Sequence, residues 1–390
     1  MNNFVFYAPT KLVFGKETEK QVGLIIAEYG YKKILVHYGQ GSVKSSGLLE
    51  RVLTSLKEAN VQYVLLGGVK PNPEIDMVRE AIPLCKKEQV ELILAIGGGS
   101  VIDSAKLIAA GFFYDGDPFD ISLHKHTITK ALPVGVILTI AAAGSEMSQS
   151  SVITDPITKT KQGFLSPLNR PLFSILNPEL TYSVSRYQTA VGIVDMMMHT
   201  LERYFNPSGK YELSDYLAEG VLKSIMEAAL PAYEDPYNYD ARASLMLAST
   251  ISHNGTTNLG KPGLMPVHAL EHLVSGLYPD IPHGTGLAVL FPAWADEYIH
   301  HDLDKFDQFA RNVMCLTYED KLENAKMGIA RLREFFAKIG MPNTLSSLGV
   351  HEEDIPWMVN KLTRNGTRVV DHYRKPLDGE VATRILKACL

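Results

Sequence analysis

Four short apolar runs constrain the fold of the first 180 or so residues more than any other feature. They are residues 32–38 (KKILVHY), 61–67 (VQYVLLG), 90–96 (VELILAI) and 133–139 (PVGVILT), and they alternate with helical patterns. Runs that are apolar on successive residues predict strands buried on both faces. Their alternation with helices predicts a parallel sheet covered by crossover helices. Helices are predicted over 48–59 and from the loop Pro71-Asn72-Pro73 to about Glu88. After Pro178 the texture changes, and apolar positions recur at helical spacing over 216–230, 241–252, 322–339 and 354–362. The chain therefore reads as an α/β domain over 1–183 followed by an all-α domain over 184–390.

Charge and composition exclude several classes of function. With 38 Lys+Arg against 43 Asp+Glu and no run of five like charges, nothing tracks a phosphate backbone, and no nucleic-acid partner is expected. The first residues lack a charged segment followed by an apolar one, and the longest apolar stretch, 132–144, is too short to span a bilayer, so no membrane association is expected. Cys85, Cys315 and Cys389 are widely spaced with no C-x-x-C, which argues against a disulfide framework or a cysteine zinc site. They read as reduced thiols in a cytoplasmic chain.

Gly97-Gly98-Gly99-Ser100 stands between the run ending at Ile96 and the helical pattern Val101-Ile102-Asp103-Ser104-Ala105-Lys106. Residues without Cβ let the backbone approach an anion, and the start of the following helix favours negative charge. Ser100 and Asp103 fit the S-x-x-D pattern in which the serine caps the first turn. A tight strand-to-helix turn would need glycine without any ligand, and this is not the G-x-G-x-x-G fingerprint. A second loop, Gly39-Gln40-Gly41-Ser42-Val43-Lys44, follows the first run. No acidic residue stands there to hold ribose hydroxyls. Ser42 and Lys44 instead offer a donor and a positive charge, which favours NADP(H) over NAD(H).

The chain has 12 histidines, and five residues stand out around them. Asp195 and His199 lie four apart in a helical pattern, which puts both on one face. His268 and His272 repeat the spacing, and His283 follows near the start of another helix. Two such pairs and a fifth donor suit a divalent metal with a position left for substrate, whereas a single pair is more often structural. Asp195 sits among methionines, where a carboxylate needs a partner to offset desolvation.

The order of these motifs resembles that of the iron-containing (group III) alcohol dehydrogenases, and within them the butanol dehydrogenase branch. The resemblance runs the length of the chain. It includes Pro9-Thr10-Lys11, Phe14-Gly15-Lys16, Pro71-Asn72-Pro73, the Gly97 run with Asp103, and Ala143-Gly144-Ser145-Glu146-Met147. Asn177-Pro178-Glu179, Asp195 with His199, and His268 with His272 followed by His283-Gly284 complete it. It implies a dehydroquinate synthase-like architecture: an N-terminal dinucleotide-binding α/β domain, a C-terminal helical metal-binding domain, and a homodimer. The implied metal ligands are Asp195, His199, His268 and His283, with His272 beside the metal and Fe²⁺ or Zn²⁺ bound. Implied cofactor contacts fall on Gly97, Gly98, Gly99, Ser100, Asp103, Thr139, Ser145 and Lys161, with Asn72 and Leu180, next to the Gly39, Gly41, Ser42 and Lys44 loop. Departures are Ala143 where the family has Thr, Gln40 and Ser185 at positions usually Gly and Pro, and a loop over 275–282 one residue longer.

The resemblance implies hydride transfer between a primary alcohol, butanol-like, or its aldehyde and NAD(P)(H), with the metal as Lewis acid. His272 either relays the proton or orients a ligand. Two other readings are a metal- and nucleotide-dependent lyase and a non-catalytic sensor. The lyase would need Lys or Arg near the metal to hold a phosphorylated acid, whereas Met196-Met197-Met198, Ala269-Leu270 and Leu277-Tyr278 are apolar.

Overall fold

The computed structural model describes residues 2–206, 212–370 and 375–390. Contacts divide them into two compact units, Tyr7–Val184 with Pro236–Thr250, and Ser185–Asp235 with Ile251–Leu390 and the first residues up to Phe6. The stretch Pro236–Thr250 thus packs with the first unit, which the helical pattern alone does not reveal.

The first unit is built on the strands β1 (Lys11–Phe14), β2 (Lys33–Gly39), β3 (Gln62–Val69), β4 (Leu92–Gly97), β5 (Val134–Leu138), β6 (Ser150–Asp155), β7 (Thr160–Leu165) and β8 (Phe173–Leu176). Six of them form a parallel sheet in the order β1-β8-β5-β4-β2-β3, and β6 and β7 form an antiparallel pair. Its helices are α1 (Val22–Glu28), α2 (Ser42–Ser45), α3 (Leu48–Glu58), α4 (Ile75–Glu88), α5 (Gly99–Gly111) and α6 (Phe119–Ser122). Alternate strand residues enter two different cores. Leu35, Ile93, Ala95 and Val136 pack with Val78, Ile82, Ile102 and Ile108 of α4 and α5. Ile34, Val36, Leu94 and Ile137 pack with Val22, Ile26, Val52 and Leu56 of α1 and α3. A sheet covered on both faces explains why β4 and β5 are apolar at every position rather than every second one.

The four apolar runs became β2, β3, β4 and β5, within one or two residues of the expected ends. The run pattern does not reveal β1 and β8, which are four residues each, or the β6 and β7 pair, whose sequences SSVITD and TKQGFL are largely polar. Strand order fixes where a ligand fits. The chain leaves β2 for β3 on one side and returns to β4 on the other, so the direction of winding reverses between β2 and β4. In open α/β sheets ligands bind beyond the carboxyl ends of strands at that switch point. The loops that follow β2 and β4 are the two glycine loops, Gly39 to Lys44 and Gly97 to Ser100.

The second unit is helical among the described residues. After α7 (Arg186–Tyr204) and α8 (Glu212–Glu234) the chain passes through α9 (Tyr239–His253), which belongs to the first unit up to Thr250, and the second unit continues with α10 (Pro266–Leu277), α11 (His283–Tyr298), α12 (Leu303–Asn312), α13 (Lys321–Lys338), α14 (Ile355–Thr363) and α15 (Gly379–Ala388). None of the described helices is long and apolar enough to cross a membrane.

In β2, His37 is fully buried, with Nδ1 donating to Leu66 O at 3.0 Å and Nε2 accepting from Ser104 Oγ at 2.9 Å. Burial pushes its pKa down to about 4, with the Leu66 carbonyl opposing. Between pH ~6.5, its unfolded value, and that folded value the unfolded chain binds more protons. Stability present above pH ~6.5 is therefore lost as pH falls through this window, by roughly 3 kcal/mol from this group. Urea unfolding at pH 7 and at pH 4.5 is expected to show a smaller loss in His37→Gln than in the unsubstituted chain. Equal losses would exclude His37 as the source.

Candidate metal centre and cofactor loops

Three helices of the second unit bring the donors together. Ser185 starts α7, its hydroxyl accepting from Gln188 N at 3.2 Å, and the helix is buried from Thr189 to Tyr204. Asp195 and His199 lie one turn apart on it, with His199 Nδ1 3.4 Å from Asp195 Oδ1. His268 Nε2 reaches the same oxygen at 3.9 Å from the first turn of α10. His283 Nε2 reaches it at 4.0 Å from the first residue of α11. Gly284 makes this last approach feasible, because a Cβ there would stand 2.1 Å from Val191 O of α7.

The site's chemistry fits a divalent ion. Asp195 Oδ1, His199 Nδ1 and His268 Nε2 are buried and have no hydrogen-bond partner in the chain. Such atoms are costly unless something else satisfies them. Four donors around an ion at about 2.1 Å would stand about 3.4 Å apart in a tetrahedral array; ligand atoms of Asp195, His199 and His268 all lie within 4.8 Å of one another, while those of His283 group at that distance with Glu271 and His272. Asp195, Glu202 and Glu271 are buried carboxylates against these histidines, and Arg203 is a buried cation beside them, its Nη1 donating to Ser252 O at 2.9 Å. Burial pushes the His268 pKa down, but Glu202 and Asp195 outweigh it and hold the ring up at about 9. Burial, with His253 and His268 alongside, drives His199 well below its ordinary value.

His272 falls outside these four donors. It is half-buried on the next turn of α10, its ring 5.6 Å from that of His283 and its nitrogen close to Glu271 and His283. Three residues that the spacing does not mark also contribute. Glu202 and Glu271 accept from Nδ1 of His268 and His283, and the His253 ring lies tilted against that of His199 with centres 4.0 Å apart. A glutamate beside a histidine in a helix is too common to single out from sequence alone. Met196, Met197 and Met198 are fully buried, so they form core and carry no information about substrate polarity. The expected loop over 275–282 is shorter in the structure, since α10 runs to Leu277.

In the first unit, α5 starts at Gly99 after Gly98, with no side-chain cap. Ser100 therefore does not cap the helix as its pattern suggested; it lies in the first turn, where the Val101 and Ile102 amides donate to Gly98 O at 3.1 and 3.2 Å. Packing also accounts for part of the glycine run. A Cβ on Gly97 would stand 2.5 Å from Val101 and one on Gly98 2.2 Å from Ile140, while one on Gly99 would meet Ala143 at 3.2 Å. Thr139 N donates to Gly97 O at 3.1 Å, which sets the end of β5 against this turn.

Asp103 braces the loop before β6. Its Oδ1 accepts from Ser145 Oγ at 2.6 Å and its Oδ2 from Val152 N at 3.0 Å. Lys106, fully buried and not marked by any motif, donates to Ser145 O at 2.7 Å, Ser145 Oγ at 2.8 Å and Ser150 O at 2.8 Å. Burial pushes its pKa down to about 8, against Asp103 and Glu146. Asn72 and Lys161 meet, Lys161 Nζ donating to Asn72 Oδ1 at 3.1 Å. After β2, Gly41 precedes α2, which begins at Ser42, and Lys44 Nζ lies 5.3 Å from the centre of the Tyr38 ring. Leu180 packs against the core on the α1 and α3 face.

Comparison with known proteins gives the same picture across both units. Residues 9–178 match the family described as iron-containing alcohol dehydrogenase, and residues 189–389 match the C-terminal part of the Fe-containing alcohol dehydrogenase family. The chain is 39% identical over 389 residues to the NADH-dependent butanol dehydrogenase A of Clostridium acetobutylicum, covering 99% of each chain. It is 35% identical over 392 residues to the NADPH-dependent aldehyde reductase YqhD of Escherichia coli, covering 100% of each. The crystal structure of NADH-dependent butanol dehydrogenase A from Thermotoga maritima superposes with a TM-score of 0.96 at 39% identity, over 100% of this chain and 99% of that one.

Asp195→Asn removes the one anionic donor of the four. Affinity for Zn²⁺ or Co²⁺, measured by competition with a chromophoric chelator, is expected to fall more than about 100-fold while far-UV circular dichroism stays unchanged.

Proposed function

This chain belongs to the iron-containing alcohol dehydrogenase family, and from that membership we propose how its own residues carry out the family's metal-dependent, NAD(P)(H)-linked interconversion of alcohols and aldehydes. Asp195, His199, His268 and His283 hold the metal, with Fe²⁺ the ion of choice. The observation that carries this reading is the convergence of three imidazoles on one carboxylate oxygen, with Asp195 Oδ1, His199 Nδ1 and His268 Nε2 buried and unpartnered by hydrogen bonds in the chain. When bound, the metal supplies Lewis acidity to the substrate oxygen and the nicotinamide carries the hydride.

The chain's residues bind and orient. Gly97, Gly98, Gly99 and Ser100 present the start of α5 to the pyrophosphate. Asp103 holds Ser145 in place, Thr139 lines the same turn, and the Lys161 and Asn72 pair with Leu180 completes the cofactor contacts. Gly39, Gly41, Ser42 and Lys44 receive the adenosine end, and the absence of an acid at the end of β2, with Lys44 nearby, favours NADP(H). Four butanol dehydrogenase relatives are named for NADH and the aldehyde reductase for NADPH, so the NADP(H) reading rests on the loop residues alone. His272 moves the proton between the substrate oxygen and solvent, which suits a half-buried imidazole beside the four donors. The substrate is a primary alcohol of butanol type or its aldehyde. Family relatives named for alcohol and aldehyde redox chemistry leave no support for the lyase or sensor readings. We also propose a cytoplasmic homodimer. Cys85, Cys315 and Cys389 are all free thiols, which suits a reducing compartment.

Three experiments test this. Oxidation of NADPH by butanal is expected to stop on complete removal of metal and return with Fe²⁺; undiminished turnover in metal-free protein would sink the metal role. Lys44→Ala is expected to raise KM for NADPH roughly tenfold and leave that for NADH unchanged. His272→Ala is expected to lower kcat by about 100-fold or more with metal content intact. Loss of metal in that variant, with kcat per bound ion retained, would make His272 an orienting group instead.

A further inference from the structure

We propose that Glu202 and Glu271 are positioning residues of the metal centre, each fixing which nitrogen its histidine turns toward the ion. The proposal rests on the metal reading above. Both carboxylates are fully buried and both meet Nδ1 of a candidate ligand, Glu202 that of His268 and Glu271 that of His283. The carboxylate oxygens accept from Nδ1, so Nε2 is the nitrogen each ring turns away from its glutamate. Those two Nε2 atoms are the ones that approach Asp195 Oδ1, at 3.9 Å and 4.0 Å.

Each carboxylate is itself held by features with no other evident purpose. Glu202 lies on α7 three residues after His199. Its Oε1 accepts the Val267 amide at 2.5 Å and its Oε2 the His268 amide at 3.3 Å. The residue before α10 is Met265, which has no oxygen with which to cap it, so Glu202 caps α10 from a neighbouring helix. One side chain thereby sets both the helix that carries His268 and the ring of His268. Glu271 lies on α10 three residues after His268, and Gly286 of α11 makes room for it. A Cβ at 286 would stand 3.0 Å from Glu271 Cγ. His199, by contrast, lies against the tilted ring of His253 and has no carboxylate against its ring among the described contacts beyond Asp195.

A carboxylate behind a ligating imidazole orients it and strengthens it as a donor, and its loss typically weakens metal binding 10- to 100-fold. The probe is Co²⁺, whose visible absorption reports donor geometry, added to metal-free full-length chain in competition with a chromophoric chelator. Glu271→Gln and Glu202→Gln are each expected to lower Co²⁺ affinity by about 10- to 100-fold and to change the visible band. Glu202→Asp keeps the charge and supplies the second variant should the glutamine fail to fold. Glu271→Gln should leave the thermal midpoint of the metal-free chain unchanged, which a purely structural role would not predict alongside weaker binding. Unchanged affinity and an unchanged band in Glu271→Gln and Glu202→Asp would overturn the proposal. Failure of the metal reading would look different: the unsubstituted chain would take up no Co²⁺, or Asp195→Asn would bind it equally well, and the proposal would fall with that reading.

Discussion

Asp195 is a carboxylate placed in the most buried helix of the second unit, and much of that unit is arranged around it. Three imidazoles from α7, α10 and α11 approach one of its oxygens within 4.0 Å. Two of those helices begin at the centre itself, and neither is capped by the side chain that precedes it. Gly284 exists where α11 must come within backbone contact of α7, and Gly286 where it must leave space for Glu271. A buried anion without compensation would oppose folding. The three imidazoles around Asp195 Oδ1 show how the chain reduces that penalty.

The first unit solves a different problem. A parallel sheet covered on both faces leaves only strand ends open to ligands, and the change of winding between β2 and β4 opens two neighbouring ends together. Both are followed by glycine-containing loops. Glycine there answers two demands at once, since Val101 and Ile140 occupy the space a side chain would need at Gly97 and Gly98. Lys106 then ties the segment after Ser145 to α5 through a cluster of oxygens that a neutral residue could not gather.

Long, doubly buried elements were legible in the sequence for a physical reason. β2, β4 and β5 are apolar at nearly every position because both faces are covered, and a strand with one face in water would alternate instead. The candidate metal donors were legible because helical spacing alone places Asp195 with His199. Short edge strands such as β1 and the polar β6 and β7 pair carry no comparable pattern, since their stability comes from partners distant in sequence. The same holds for Glu202, Glu271, His253 and Lys106. Each acts across a helix-to-helix or helix-to-loop contact that no local spacing encodes. Ser100 shows the converse, a correct local pattern for a cap that the backbone did not use, because α5 begins at Gly99, two residues before the start a Ser100 cap would give.

The cap that Glu202 provides for α10 bears on how the centre comes into being. The backbone amides of Val267 and His268 are held by a side chain of the protein, so the first turn of α10 does not wait for an ion. The place of the His268 ring is thus a product of folding, and a change that loosens the start of α10 would displace that ring with every donor of the candidate centre still in the chain.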